Sequence, residues 1–188
     1  MATIAYAMLT SLDGYIAGPS GGIDLPVPEE ELHQHFNDGM RRTSIALCGR
    51  RMYETMRFWD SREREIAASE VERDFARAWR ETPKIVFSTT LREVGPNARL
   101  VKGGAEAVAR SLKAETDGEI SVSGAELAAH LARAGLIDEY RLYLHPVVLG
   151  AGKPYFQSGL SLALKSLGTE RLAQGVTLLR YAPAGIDG

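Results

Sequence analysis

The sequence predicts an α/β fold in which a mostly parallel central sheet carries helices on both faces and ends in a C-terminal antiparallel hairpin at one edge. Two observations carry this. Short apolar runs of strand length alternate with amphipathic stretches of helix length along most of the chain, the order that builds parallel sheets through helical crossovers. The last two strand-like segments are separated only by Ala173-Gln174-Gly175, which suits a hairpin. No block recurs at a solenoid or propeller period.

Thr3 to Leu9 is an apolar run suited to a buried strand. It gives way to SLDGYIAGPSGGIDLP, a loop crowded with glycine and proline from Gly18 onward and long for a compact domain, which points to a working role. Glu29 to Arg42 starts with acids and ends with arginines, matching the helix dipole, and Leu32, Phe36 and Met40 give it one apolar face. Ile45 to Cys48 reads as a short buried strand, Arg50 to Met56 as a short helix, and Glu63 to Arg80 as a charged helix with Ile66, Phe75 and Trp79 turned inward. Pro83 breaks that helix before the β-branched strand Lys84 to Ser88. Leu100 to Lys102, a helix from Gly104 to about Ala114, and the strand Glu119 to Ser123 continue the alternation. Gly124 opens a helix with Leu127, Leu131 and Ala134 on one face, Gly135 stops it, and Glu139 to Leu149 reads as one long strand ending in GAGKP. The hairpin strands run from about Leu162 to Leu172 and from Val176 to Tyr181.

A length of 188 residues, 45% hydrophobic, suits a single domain spanning residues 1 to 188 with a substantial core. The 22 basic and 24 acidic side chains nearly cancel, so no global field gathers polyanions and nucleic acid is not the expected partner. Cys48, the single cysteine, sits in an apolar run and is expected as a small buried thiol. The N-terminal stretch lacks the basic and apolar regions of a signal peptide, and no segment approaches the ~18 apolar residues of a membrane span. No membrane contact and a cytoplasmic location are the expectation. His33 and His35 lie two apart on a helix, and His130 and His145 are isolated, so no metal site is expected.

Ligands on such sheets lie at the carboxyl ends of the strands, and three strand ends here carry glycine or polar residues. Gly49-Arg50-Arg51 offers close backbone approach and two guanidiniums that can fork onto phosphate oxygens, or else a solvated arginine pair. Ser88-Thr89-Thr90 supplies hydroxyls for phosphate or ribose, or else caps and turns. Ser123-Gly124-Ala125 passes directly into a helix, leaving room for a pyrophosphate against free N–H groups, or else for tight packing. Neither GxGxxG nor GxxxxGK[ST] occurs, so three strand ends would have to converge on one dinucleotide. Two arginines at one end and a helix N-terminus at another suit a 2′-phosphate as well as a pyrophosphate, hence NADP rather than NAD.

SLDGYIAG (residues 11–18), LCGRRMYETM (47–56), VFSTTL (86–91), ISVSGAELAAHL (120–131), GLIDEYRLYLHPVVLGAGKPYF (135–156) and the closing GVTLLRY resemble, in order, the reductase domain of bacterial riboflavin biosynthesis, the RibD C-terminal domain, within the dihydrofolate reductase superfamily. The resemblance implies a dihydrofolate reductase-like fold and an NADPH-dependent reductase. It implies that Ala7 and the Ser11 to Ala17 loop, with Gly14 and Ile16, cover the nicotinamide. It further implies that Gly49, Arg50, Arg51, Ser88 and Thr89 hold the adenosine 2′-phosphate, and that Ser123, Gly124, Ala125 and Glu126 face the pyrophosphate and nicotinamide ribose. Thr89 stands where relatives often carry Arg or Lys, Met52 replaces a threonine or valine, and Ser123 replaces the first of two glycines.

Hydride transfer requires the nicotinamide held against an electrophilic carbon, exclusion of water and, for an imine acceptor, a proton. Asp13, in the loop expected over the nicotinamide, is the candidate proton source, or else makes a local Asp-Gly turn bond. Tyr15, Tyr53, Trp59 and Phe156 could form an aromatic wall for a planar substrate, or else belong to core and rim. Dihydrofolate reductases hold the pterin with an acid on the first helix, and Glu29, Glu30, Glu31 and Asp38 are available without one standing out. The expected substrate is a small nitrogen heterocycle, a ribosylamino-pyrimidine or a pterin. A nucleotide-binding or regulatory module without efficient catalysis is the alternative, and a homodimer is expected through the Glu139 to Leu149 strand and the hairpin.

Overall fold

A computed structural model of the chain describes residues 1–22, 24–61 and 69–185. Its elements, in order, are β1 (Thr3–Thr10), β2 (Tyr15–Ala17), α1 (Glu30–Arg42), β3 (Thr43–Gly49), α2 (Arg50–Met56), a 3₁₀ turn (Arg57–Asp60) and α3 (Glu70–Glu81). They continue with β4 (Lys84–Phe87), β5 (Ala98–Val101), α4 (Ala105–Glu115), β6 (Glu119–Ser123), α5 (Ala125–Arg133), β7 (Glu139–Leu144), β8 (Lys153–Pro154), β9 (Leu164–Arg171) and β10 (Thr177–Pro183).

Eight strands form one sheet in the order β5-β4-β3-β6-β1-β7-β10-β9, and β2 pairs separately with β8. β5, β4, β3, β6, β1 and β7 are mutually parallel, while β10 is antiparallel to both β7 and β9. This is the predicted sheet with its hairpin edge. The chain leaves β1 for β3, β4 and β5 on one side, then returns to place β6 between β3 and β1 and β7 on the far side of β1. That reversal opens a crevice at the carboxyl ends of β3, β6 and β1, where such sheets bind ligands.

Alternation along the strands distributes the core over both faces. Leu47, Ile85, Ile120 and Val122 pack with Leu127 and Leu131 of α5 and Ala109 of α4. Ala46, Cys48 and Val86 turn the other way, onto Phe75 and Trp79 of α3, and Ala7 and Leu9 meet Leu32 of α1. Each large side chain so buried stabilises the fold by roughly 1.5–3 kcal/mol. Burial also pushes the Cys48 thiol up to about 12, the inert core cysteine that its apolar run predicts.

Two boundaries and the loop after β1 differ most from the sequence reading. The helix expected from Glu63 begins at Glu70, where Ser69 and Glu72 form a reciprocal capping box; residues 62–68, with Ile66 among them, lie outside the described residues. The long strand expected to Leu149 stops at Leu144. Pro146 has no N–H to offer a ladder, Leu12 donates to the Val147 carbonyl, and Gly150 turns with φ 74°. The GAGKP segment therefore becomes a strap, with β8 laid against β2 (Lys153 opposite Ala17). The Ser11 to Pro26 loop thus contains a strand that its own pattern did not reveal.

Candidate active site

The ends of β3 and β6 meet in register, Cys48 opposite Ser123, so the next residues, Gly49 and Gly124, lie against each other. A Cβ on Gly124 would stand 3.6 Å from both the nitrogen and the Cα of Gly49, and Gly124 has φ +107°, a conformation that favours glycine. The N-termini of α2 and α5 therefore open side by side. Arg50 and Arg51 begin α2; Arg50 pairs with Glu54 at 3.0 Å along the helix surface, and Arg51 is exposed. Ala125 is fully buried behind the first turn of α5, whereas Glu126 projects outward and accepts a hydrogen bond from Lys153 Nζ at 2.7 Å. That Lys153 bond, with the charges of Lys153, Arg51 and Arg50, holds the Glu126 carboxyl below its ordinary range. Lys153 thus reaches the first turn of α5 while Arg50 and Arg51 open the neighbouring α2, a donor set suited to a phosphorylated ligand.

The third strand end is organised differently. Ser88 Oγ accepts from the backbone N–H groups of Thr90 (3.1 Å) and Leu91 (3.0 Å), so its oxygen closes a turn, while Thr89 is exposed beside it.

The loop after β1 is stitched to the strap. Asp13 accepts from the Ser11 hydroxyl at 2.6 Å and from the N–H groups of Leu149 (3.1 Å) and Gly150 (2.7 Å). Gly14 turns with φ 85° and its carbonyl accepts from Tyr155 N–H, Tyr15 donates its N–H to Ser11 Oγ, and Ile16 packs on the core. Tyr155 in turn donates its hydroxyl to the Tyr6 carbonyl at 2.8 Å, with the two rings 4.3 Å apart. The Ser11 hydroxyl, joined by the Leu149 and Gly150 amides, holds the Asp13 carboxyl below its ordinary range. In this geometry the Asp13 carboxylate, gripped by three donors, clamps the loop to the strap.

The expected aromatic wall is not brought together. Tyr53 is fully buried beside Cys48 and Trp79, its hydroxyl accepting from Gly95 N–H at 2.7 Å, so it is a core residue. Trp59 stacks edge-on with Phe75 and His33 between α1 and α3, whereas Phe156 packs with Tyr155 and Tyr140 on the opposite face of the sheet. Tyr15, half-buried, lies on the loop that pairs with the strap. On the first helix, Glu29, Glu30, Glu31 and Asp38 are all exposed, and the inward polar groups are His33 and Asn37.

Lys153, Thr10 and His145 join the candidate site without having been legible in the sequence. Thr10 Oγ1 and both ring nitrogens of His145 are buried without a hydrogen-bond partner among the described residues, at the ends of β1 and β7 from which loop and strap depart. Burial lowers the His145 pKa and so favours its neutral imidazole. The signal available was Gly150-Ala-Gly-Lys-Pro, whose glycines mark a turn that delivers a lysine back toward the sheet. Among the described residues no helix is long and apolar enough to cross a membrane, and no cluster of His, Cys, Asp and Glu could hold a metal ion.

Comparison with known proteins agrees with this architecture. The uncharacterized protein YyaP of Bacillus subtilis (strain 168) is 28% identical over 176 residues, covering 93% of this chain and 91% of that protein. A putative riboflavin biosynthesis protein from Shewanella sp. PV-4 superposes with a TM-score of 0.74 at 26% identity, covering 98% of this chain and 99% of that one. Dihydrofolate reductase from Enterococcus faecalis, solved with NADP(H) and RAB-propyl, shares the fold with a TM-score of 0.63 at 13% identity, covering 96% of each chain. The family profile of the RibD C-terminal domain matches residues 2–178, and the chain belongs to that family, with the dihydrofolate reductase-like fold.

Proposed function

We propose that this chain is an NADPH-dependent reductase that transfers hydride to a small nitrogen heterocycle, a ribosylamino-pyrimidine of riboflavin biosynthesis or a pterin-like ring, and works as a cytoplasmic homodimer. The observation that carries the reading is the close approach of Gly49 and Gly124 at the starts of α2 and α5, with Arg50 and Arg51 following the first and Lys153 bound to Glu126 after the second, at the topological reversal of the sheet. Membership in a reductase-domain family supports it.

In this reading Arg50 and Arg51 fork onto the 2′-phosphate, with the exposed Thr89 and the Ser88 turn beside them. The N–H groups of α5 behind Ser123-Gly124-Ala125 face the pyrophosphate. The clamped loop, with Gly14 and Ile16, excludes water from the ring above Ala7. NADPH, when bound, supplies the hydride; the protein's task is to align it. The buried, unpartnered Thr10 and His145 groups offer polar contacts at the same end of the sheet.

Asp13's commitment to the strap also favours a second reading, a nucleotide-binding module on the same fold without efficient turnover. Titration with NADPH and NADH, followed by tryptophan quenching and energy transfer, tests both. Tight NADPH binding that is lost in the R50A/R51A variant supports the cofactor assignment, and a screen of pterins and pyrimidines then separates enzyme from binding module by turnover. Failure to bind either nucleotide sinks both readings.

A further inference from the structure

We propose that Lys153 is a ligand for the pyrophosphate of the dinucleotide and that Glu126 holds it in reserve, so that cofactor binding exchanges a carboxylate for a phosphate on the same ammonium group. The inference rests on the cofactor reading above and deepens it.

The geometry that points here is a single ion pair spanning two parts of the site. Lys153 lies on β8 of the strap, opposite Ala17, and Glu126 lies in the first turn of α5, behind β6. In the sheet, β6 is flanked by β3 and β1, and the strap and its partner loop depart from the ends of β7 and β1. The Lys153–Glu126 contact at 2.7 Å therefore crosses from the loop side to the phosphate side of the crevice. A dinucleotide laid from Arg50 and Arg51 toward Ala7 would pass this crossing with its central pyrophosphate.

The two partners are unequally free. The Lys153 side chain is 24% exposed and its backbone is pinned, because the preceding Gly152 is in direct contact with the Ala17 backbone. The Glu126 side chain is 77% exposed and can swing into water at little cost. Glu126 also places a negative charge beside the α5 amides and the two arginines, where it competes with an incoming anion. A pyrophosphate carries more charge and more acceptor oxygens than one carboxylate, and it can take the α5 N–H groups and the lysine together. The exchange therefore favours the cofactor.

The pyrophosphate is common to NADPH and NADH, and this separates Lys153 from the arginines. Fluorescence titrations of wild type, K153M, K153R, E126Q and R50A/R51A with each nucleotide make the test. K153M, which keeps the apolar stem, is expected to weaken NADPH and NADH alike by roughly tenfold with their ratio unchanged. R50A/R51A is expected to weaken NADPH selectively, K153R to stay within about threefold of wild type, and E126Q to tighten both nucleotides severalfold. Thermal melts followed by circular dichroism establish that each variant is folded; should K153M melt early, K153R and E126Q carry the test. Wild-type binding with K153M within about twofold of it, a K153M loss confined to NADPH, or weaker binding by E126Q overturns this inference alone. No binding of either nucleotide to wild type overturns it together with the cofactor reading.

Discussion

A Cβ placed on Gly152 would stand 2.0 Å from the carbonyl oxygen of Ala17, so strap and loop touch backbone to backbone at a point only glycine can occupy. Gly152 also has φ 140°, outside the range side chains adopt readily. Gly152→Ala must push the strap off the loop. The expected cost is about 2–4 kcal/mol, a fall in Tm of roughly 5–10 °C for a chain of this size. A melt within a degree or two of wild type would show that the contact is easily relieved.

Asp13 makes the second join between these segments. Asp13→Asn keeps the shape but turns one acceptor into an NH₂ donor facing backbone N–H groups. Hydrogen exchange at the Leu149 and Gly150 amides is expected to quicken roughly tenfold, with little change elsewhere. Because the folded carboxyl titrates below its ordinary 3.8, the clamp is fully present above that value. It is lost as pH falls through the lower, folded value. Exchange protection of the Gly150 amide should accordingly collapse only in acid.

On the α1 face of the sheet, Glu139 accepts from Arg141 (2.9 Å) and Arg180 (2.7 Å), and Arg141 also reaches Glu119. Burial pushes the Glu139 carboxyl up, but the Arg141 and Arg180 hydrogen bonds and charges more than reverse it and hold it at about 2. Its contribution is present above pH 4.5 and fades as pH falls from 4.5 toward 2. Glu139→Gln should cost about 1–3 kcal/mol at neutral pH, much of it from the arginines left without a partner. Urea midpoints measured against pH should show the gap between wild type and variant closing through that acid window.

Asn37 decides the state of His33. Its amide nitrogen donates to the Val71 carbonyl and to Asp74, each at 2.9 Å, so its oxygen is the acceptor toward His33 Nδ1 at 3.0 Å. His33 therefore carries its proton on Nδ1 when neutral and leaves Nε2 bare. Nitrogen-15 NMR of the imidazole at high pH reads this tautomer directly, and the opposite tautomer would mean the network is wired the other way. Asn37→Leu, which removes these three hydrogen bonds and leaves the buried His33 Nδ1 without its acceptor, should cost about 1–3 kcal/mol.

Much of the candidate site was legible because its parts are punctuation. Gly49-Arg50-Arg51 and Ser123-Gly124-Ala125 each follow an apolar strand, and a glycine between strand and helix has few other uses than close approach. The aromatics and the first-helix polar residues are divided by features that the letters do not carry. Tyr53, Trp59 and Phe156 look alike as letters, yet one fills the core and the other two lie on opposite faces of the sheet, a division set by which helix covers which face. The exposed Glu29, Glu30, Glu31 and Asp38 differ from the buried His33 and Asn37 only by helical phase against α3 and the 3₁₀ turn.

By itself the sequence determined the alternation of strands and helices, the hairpin edge, the inert Cys48 and the two glycine-marked strand ends, since all of these follow from local periodicity and backbone conformation. Only the tertiary structure decided that Asp13 clamps a strap 136 residues away, that Lys153 reaches Glu126, and that Thr10 and His145 are buried without partners. Those relations depend on which strand ends the topology makes neighbours. Such pairing, across 27 residues for Lys153 and Glu126 and 136 for Asp13 and Leu149, is fixed by the closing of the whole sheet, and it leaves no periodic trace in the segments that meet.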